Sequence, residues 1–158
     1  MIKKIINIAF TLSILASISC STQGPIFEKY KKFDNSSWDR FNKIIFNVPI
    51  TEPNADYDIT FVFKPNKEFS YGSMPVYVIM DTPSGEERMN DVKLTVKSEG
   101  KFVGATEGQP IVIKSVLWKS LNIAAKGNLK ISFENMVPKI QTSGINEIGI
   151  IVEKSAKE

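Results

Sequence analysis

Ile44-Ile45-Phe46-Asn47-Val48-Pro49-Ile50 sets the pattern of this chain. Ile44, Phe46, Val48 and Ile50 fall on one side of an extended backbone, with Ile45, Asn47 and Pro49 on the other. Period-two alternation of this kind marks a half-buried strand, because successive side chains of a strand point to opposite faces. Working outward, the pattern returns five times. Ile59, Phe61 and Phe63 alternate with Thr60, Val62 and Lys64. Val76, Val78 and Met80 alternate with Tyr77, Ile79 and Asp81. Val92, Leu94 and Val96 alternate with Lys93, Thr95 and Lys97. Leu129, Ile131 and Phe133 alternate with Lys130, Ser132 and Glu134, and Ile148, Ile150 and Val152 with Gly149, Ile151 and Glu153. One apolar and one mostly polar face indicates antiparallel sheet with one side on a core.

The punctuation agrees with strands. Thr82-Pro83-Ser84-Gly85 suits a type I turn, with Pro second and Gly fourth. Ser98-Glu99-Gly100 suits a tight hairpin in which Gly supplies a positive φ. Lys126-Gly127-Asn128 is a further turn, and Glu52 to Asp56 a longer one. Ile111 to Trp118 is more continuously apolar and predicts a central strand, with Leu121 to Ala124 a further short one. Ile26 to Trp38 reads as an N-terminal arm whose aromatics pack on the domain. No stretch carries helical periodicity. Seven to nine strands joined by turns predict an all-β fold, an antiparallel β-sandwich of jelly-roll or immunoglobulin-like type.

Upstream lies different chemistry. Lys3 and Lys4 precede an apolar run from Ile5 to Ala16 and small residues up to the chain's only cysteine, Cys20. A basic start, an apolar centre and small residues at the end form a secretory signal, to be set apart from the fold. The run is shorter, and more interrupted by Ser, Thr and Asn, than the roughly 20 apolar residues of a membrane-spanning helix. Ile18-Ser19-Cys20 resembles the lipobox of bacterial lipoproteins, which implies cleavage before Cys20 and lipidation of its sulfur. A single thiol has no disulfide partner within the chain, and two or more acyl chains would anchor it stably. The expected organisation is a signal over residues 1–19, lipidated cysteine and tether over 20–25, one domain over 26–154 and a polar tail over 155–158.

Composition narrows the function. Removing residues 1–19 from 158 leaves 139, enough for one domain with a real core. Lys3 and Lys4 leave with the signal, so 18 basic side chains face 17 acidic ones. A near-neutral domain gives no reason to expect nucleic acid as a partner. Histidine is absent, which removes Ser-His-Asp and Cys-His catalysis and the His-containing zinc and non-haem iron sites.

The remaining candidates are carboxylates, glycines and aromatics. Asp56 and Asp58 would share a strand face, but calcium needs several more oxygen ligands. No pair of acids is nominated for glycoside hydrolysis. Gly100, Gly104 and Gly108 lack the strand-to-helix setting of a phosphate loop and suit turns or bulges. Neither catalytic residues, a metal nor a cofactor is therefore expected. Trp38, Phe69, Tyr71 and Trp118 stand as candidate contacts for a protein partner or a glycan, since aromatic rings are common interface anchors.

In their order along the chain, several landmarks resemble the gliding-motility lipoprotein H family of the Bacteroidota. They are Phe33 with Trp38, Phe46 and Tyr57, then Phe69-Ser70-Tyr71 before Val76-Tyr77-Val78, and the Pro83-Ser84-Gly85 turn. Gly100-Lys101-Phe102-Val103-Gly104, Gly127 to Phe133 and Gly144 to Lys154 complete the series. Phe102 stands where that family usually has Trp. The resemblance implies a lipoprotein accessory of the gliding and type IX secretion systems that binds envelope proteins. Surface-exposed lipoproteins of that phylum carry acids just after the lipidated cysteine. Ser21-Thr22-Gln23-Gly24 has none, which implies a domain hung from the outer membrane into the periplasm. The alternative expectation is a carbohydrate-binding sandwich lipoprotein.

Overall fold

Eight long strands pair as a nested series, and that nesting fixes the fold. The computed structural model describes residues 24–156, and all the regular elements among them are strands. β1 (Phe27–Lys32) pairs with β12 (Ile145–Lys154), and β3 (Ile44–Ile50) with β10 (Gly127–Asn135). β4 (Ala55–Pro65) pairs with β9 (Ile113–Ile123), and β5 (Ser73–Asp81) with β6 (Glu87–Thr95). All four pairings are antiparallel, so the chain is one long hairpin of four steps. Rolling that hairpin lays β12 against β4 and β10 against β5. Two four-stranded sheets result, β1-β12-β4-β9 and β3-β10-β5-β6. Of the two sandwich types expected, this is the jelly roll.

The strand count exceeds the expected seven to nine. Among the described residues there are twelve strands, because four very short ones lie inside loops: β2 (Ser37–Asp39) pairs with β11 (Gln141–Ser143), and β7 (Lys97–Ser98) with β8 (Lys101–Phe102). Two or three residues are too few to show a period. The arm expected from Ile26 became the edge strand β1. The apolar run from Ile111 leads into β9, which starts at Ile113, is an edge strand rather than a central one and continues unbroken through Leu121. Val112 and Val116, which made that run look buried, are exposed.

The core forms where the two inner faces meet. Phe46, Val48, Leu129, Ile131 and Phe133 come from one sheet, and Ile59, Phe61, Phe63, Ile148 and Ile150 from the other, all buried. Phe133 joins the layers. Its ring stacks on Phe61 at 4.9 Å between centroids and meets Phe46 edge-on at 5.8 Å, geometries that aromatic quadrupoles favour.

Topology sorts the connections by length. The three tight ones, 51–54, 82–86 and 124–126, share one end of the sandwich with the start of β1 and the end of β12. The four long ones, 33–43, 66–72, 96–112 and 136–144, share the other end. At about 3.3 Å per residue, the eleven residues of β4 span roughly 35 Å between the two.

Candidate functional site

The loop end carries the features that a binding function could use, and buried polar groups hold it in shape. β2 and β11 tie the 33–43 loop to the 136–144 loop. Beneath them Asn135, itself buried, donates from Nδ2 to the Trp38 carbonyl at 3.1 Å and to Thr142 Oγ1 at 2.9 Å. Its Oδ1 accepts from the Val137 backbone N–H at 2.9 Å. Trp38 Nε1 donates to the Asn42 carbonyl at 2.8 Å, and the Trp38 ring stacks on Phe33 at 5.7 Å. A buried network whose Asn135 amide is paired through both its nitrogen and its oxygen specifies one arrangement of its loops.

The other two loops are fastened as firmly. Asn66 donates its backbone N–H to the Gly144 carbonyl at 2.8 Å. Val96 and Lys97 both donate backbone N–H groups to the Gly72 carbonyl at 2.9 Å, and Lys97 Nζ donates to the Phe69 carbonyl. Lys97 also stands 4.6 Å from the centre of the Phe102 ring. Glu99 and Gly100, at the tip of the β7–β8 hairpin, both have positive φ. Such a pair matches the twist of a two-residue hairpin.

Two recesses open at this end. The larger, about 570 Å³, lies between the end of β4, the start of β12 and the loop from Phe102 to Ile111, with Lys64, Lys67, Glu107 and Glu147 on its walls. The smaller, about 280 Å³, is lined by Lys31, Lys32, Asp34 and Asp39 among others. Glu147 is committed within the larger recess. It accepts from Lys64 Nζ at 2.8 Å and lies 3.6 Å from Lys32 Nζ. The Lys64 hydrogen bond, above all, holds its carboxyl below the ordinary range. Lys64 also rides 3.8 Å above the Tyr30 ring. Burial and a hydrogen bond to Glu28 push the Tyr30 phenol up to about 12. Asp58, at the far end of the same sheet, is likewise lowered, chiefly by the Ser120 N–H and then by Ser155 Oγ. Both acids are held charged by fixed partners, the opposite of a general acid.

The four aromatic candidates divide. Trp38 and Phe69 are fully buried and present no ring to a partner, so their nomination as contacts is corrected: both are struts of the loop end. Phe69 packs edge-on to Phe63 at 5.3 Å and to Tyr71 at 5.6 Å. Tyr71 is half-buried at the same end, with Lys139 Nζ 5.8 Å from its ring centre. Trp118 is half-buried on the flank, opposite Ile59 in the β4–β9 register. Three of the four are thus gathered at one end and Trp118 is not. Cys20 lies outside the described residues.

Sequence reasoning missed the most exposed apolar pair of this end. Phe41 is 82% exposed and Ile140 68%. Arg40, next to Phe41, donates its backbone N–H to the Ile140 carbonyl at 2.8 Å. Neither residue belongs to an alternating run, so no periodicity pointed to them.

Comparison with known proteins places the chain. The GldH lipoprotein family profile matches residues 25–152, most of the chain and nearly all of the sandwich. The chain belongs to the GldH lipoprotein family. It is thus a gliding-motility-associated lipoprotein, a class held at a membrane. No curated protein matches it. Among solved structures, the GldH-family chain is similar to the VP2 subviral particle of infectious bursal disease virus, at 8% identity and a TM-score of 0.36. The match covers 83% of this chain and 31% of that one. The Gx strain of the same virus gives 11% identity and a TM-score of 0.32, over 85% and 31%. This chain therefore spans about a third of either, and the scores are too low to bear on function.

Proposed function

We infer that this GldH-family lipoprotein is anchored to the outer membrane through lipid on Cys20 and faces the periplasm. Its sandwich binds envelope proteins without enzymatic chemistry, as an accessory of a gliding and type IX secretion assembly. One observation carries the reading. The chain enters β1 at the tight-turn end, about 35 Å from the long loops. Residues 21–25, fully extended, reach only about 17 Å. A lipid on Cys20 would therefore hold the tight-turn end near the bilayer and offer the loop end to proteins beyond it. Confinement to a surface raises the effective concentration of a modest contact.

A glycan-binding sandwich would want a coplanar row of exposed rings. Trp38 and Phe69 are buried and Trp118 sits apart from Tyr71, which favours the protein-binding reading. Cys20→Ala tests the anchor, with the expectation that the chain leaves the membrane fraction. Crosslinking of the full chain in intact cells tests the binding. Recovery of no specific envelope protein would count against it.

A further inference from the structure

Resting on that protein-binding reading, we propose that Phe41 and Ile140 form the contact itself, and that it takes an acidic segment of an envelope protein bearing an aliphatic residue. The pair differs from the other exposed apolar side chains. Met89 and Val116 stand on sheet flanks, and the Met89 sulfur already accepts the Tyr77 hydroxyl. Phe41 and Ile140 lie on adjoining backbone, since Arg40, the residue before Phe41, donates its N–H to the Ile140 carbonyl, with Met136, 40% exposed, on the same loop as Ile140. The loops that carry them rest on Asn135, Thr142 and Trp38, all buried and all hydrogen-bonded. A rigid apolar pair that needs no ordering on binding is what a contact hot spot requires.

Charge specifies the occupant. Arg40 and Lys139 flank the pair, and among the described residues neither forms an ion pair. Lys43 is matched by Glu134 at 2.6 Å. Asp39 accepts the Phe41 N–H at 2.8 Å. Asp39 keeps its charge in that bond, so Arg40 and Lys139 leave the rim one positive charge in excess around an apolar centre, complementary to carboxylates set about an aliphatic side chain. Apolar residues beside cations also suit an anionic bilayer. This pair, however, sits at the end of the domain opposite the point where the tether enters, so a polypeptide is the occupant.

The test places a photoreactive phenylalanine analogue at position 41 or 140 of the full lipidated chain in intact cells, with positions 89 and 116 for comparison. Adducts from 41 and 140 should map by mass spectrometry to one polypeptide segment rich in Asp and Glu. They should fall about tenfold in an Arg40→Glu, Lys139→Glu chain whose thermal unfolding matches the parent, because reversing both rim charges sets like charges against the acidic segment. Adducts with lipid, adducts insensitive to the charge reversal, or adducts mapping to a segment without acids would overturn the proposal. Adducts from 89 or 116 alone would overturn it while leaving the protein-binding function standing. No protein adduct from any position would remove both.

Discussion

Gly144 and Phe69 approach so closely that a Cβ on Gly144 would overlap the Phe69 backbone, and Gly144 itself holds φ +84°. Both constraints come from the same joint, where the loop after β4 is drawn under the loop before β12. Gly144→Ala therefore combines left-handed strain with a backbone clash and should cost about 2–4 kcal/mol. Gly85, at φ +87° with open space around it, separates the two causes. Gly85→Ala should cost only about 1–2 kcal/mol, the left-handed strain alone. Denaturant unfolding of both variants measures the difference, and equal costs would mean that the joint yields.

How much of this was legible in the sequence follows from how local each interaction is. Ile44 to Ile50 alternates cleanly because one of its faces meets the core and the other meets water, so burial repeats the pattern residue by residue. The jelly-roll pairing was not legible. It depends on partners such as Phe27 and Val152, far apart in the chain. The loop aromatics were misread for the same reason. Trp38 is held by Asn135, 97 residues away, and Phe69 is packed under Gly144. Nothing near either ring marks it as buried. Phe41 is the converse, a large apolar residue turned outward by bonds its neighbours make with residues about a hundred positions on. The family resemblance, by contrast, drew on the order of landmarks along the whole chain, and the profile match confirms it.

The two tryptophans give a spectroscopic check on the buried strut. Trp38 is sealed and Trp118 half-exposed. With Trp118→Phe, the remaining emission should be blue-shifted and resist quenching by iodide. With Trp38→Phe, it should be redder and quench readily. Trp38→Ala should also cost about 3–5 kcal/mol, the range for emptying a large aromatic site. Ready quenching of Trp38 would show that the loop end opens in solution.

Acid should reveal the Glu147 contact. Its folded value lies below the ordinary 4.5, with the Lys64 hydrogen bond as the first cause. A lowered folded value contributes stability that is fully present above 4.5. That contribution drains as pH falls through 4.5 to the folded value, because the unfolded chain takes up the proton first. Asp58 acts in the same direction from its ordinary 3.8. Glu147→Gln should therefore flatten the acid limb of the stability profile from pH 4.5 downward while leaving the plateau above pH 6 level, though lower. An unchanged acid limb in urea titrations would assign the acid sensitivity elsewhere.

Asn135 tests whether the loop end is rigid by construction. It donates to Trp38 and Thr142 and accepts from Val137, all within a buried pocket. Asn135→Ala leaves those buried groups without partners, at about 1–3 kcal/mol for each that water cannot reach. The expected total is about 2–4 kcal/mol, since the loops relax to readmit some water. Phe41→Ser, by contrast, removes a side chain that touches little and should stay within about 0.5 kcal/mol of the parent. Hydrogen exchange separates local from global loosening. In Asn135→Ala, amides of residues 37–42 and 137–143 should lose protection first, while those of Phe61, Ile131 and Ile150 stay protected. Uniform loss across both sheets would mean that Asn135 stabilises the sandwich as a whole, and that the tip holding Phe41 and Ile140 has no rigidity of its own.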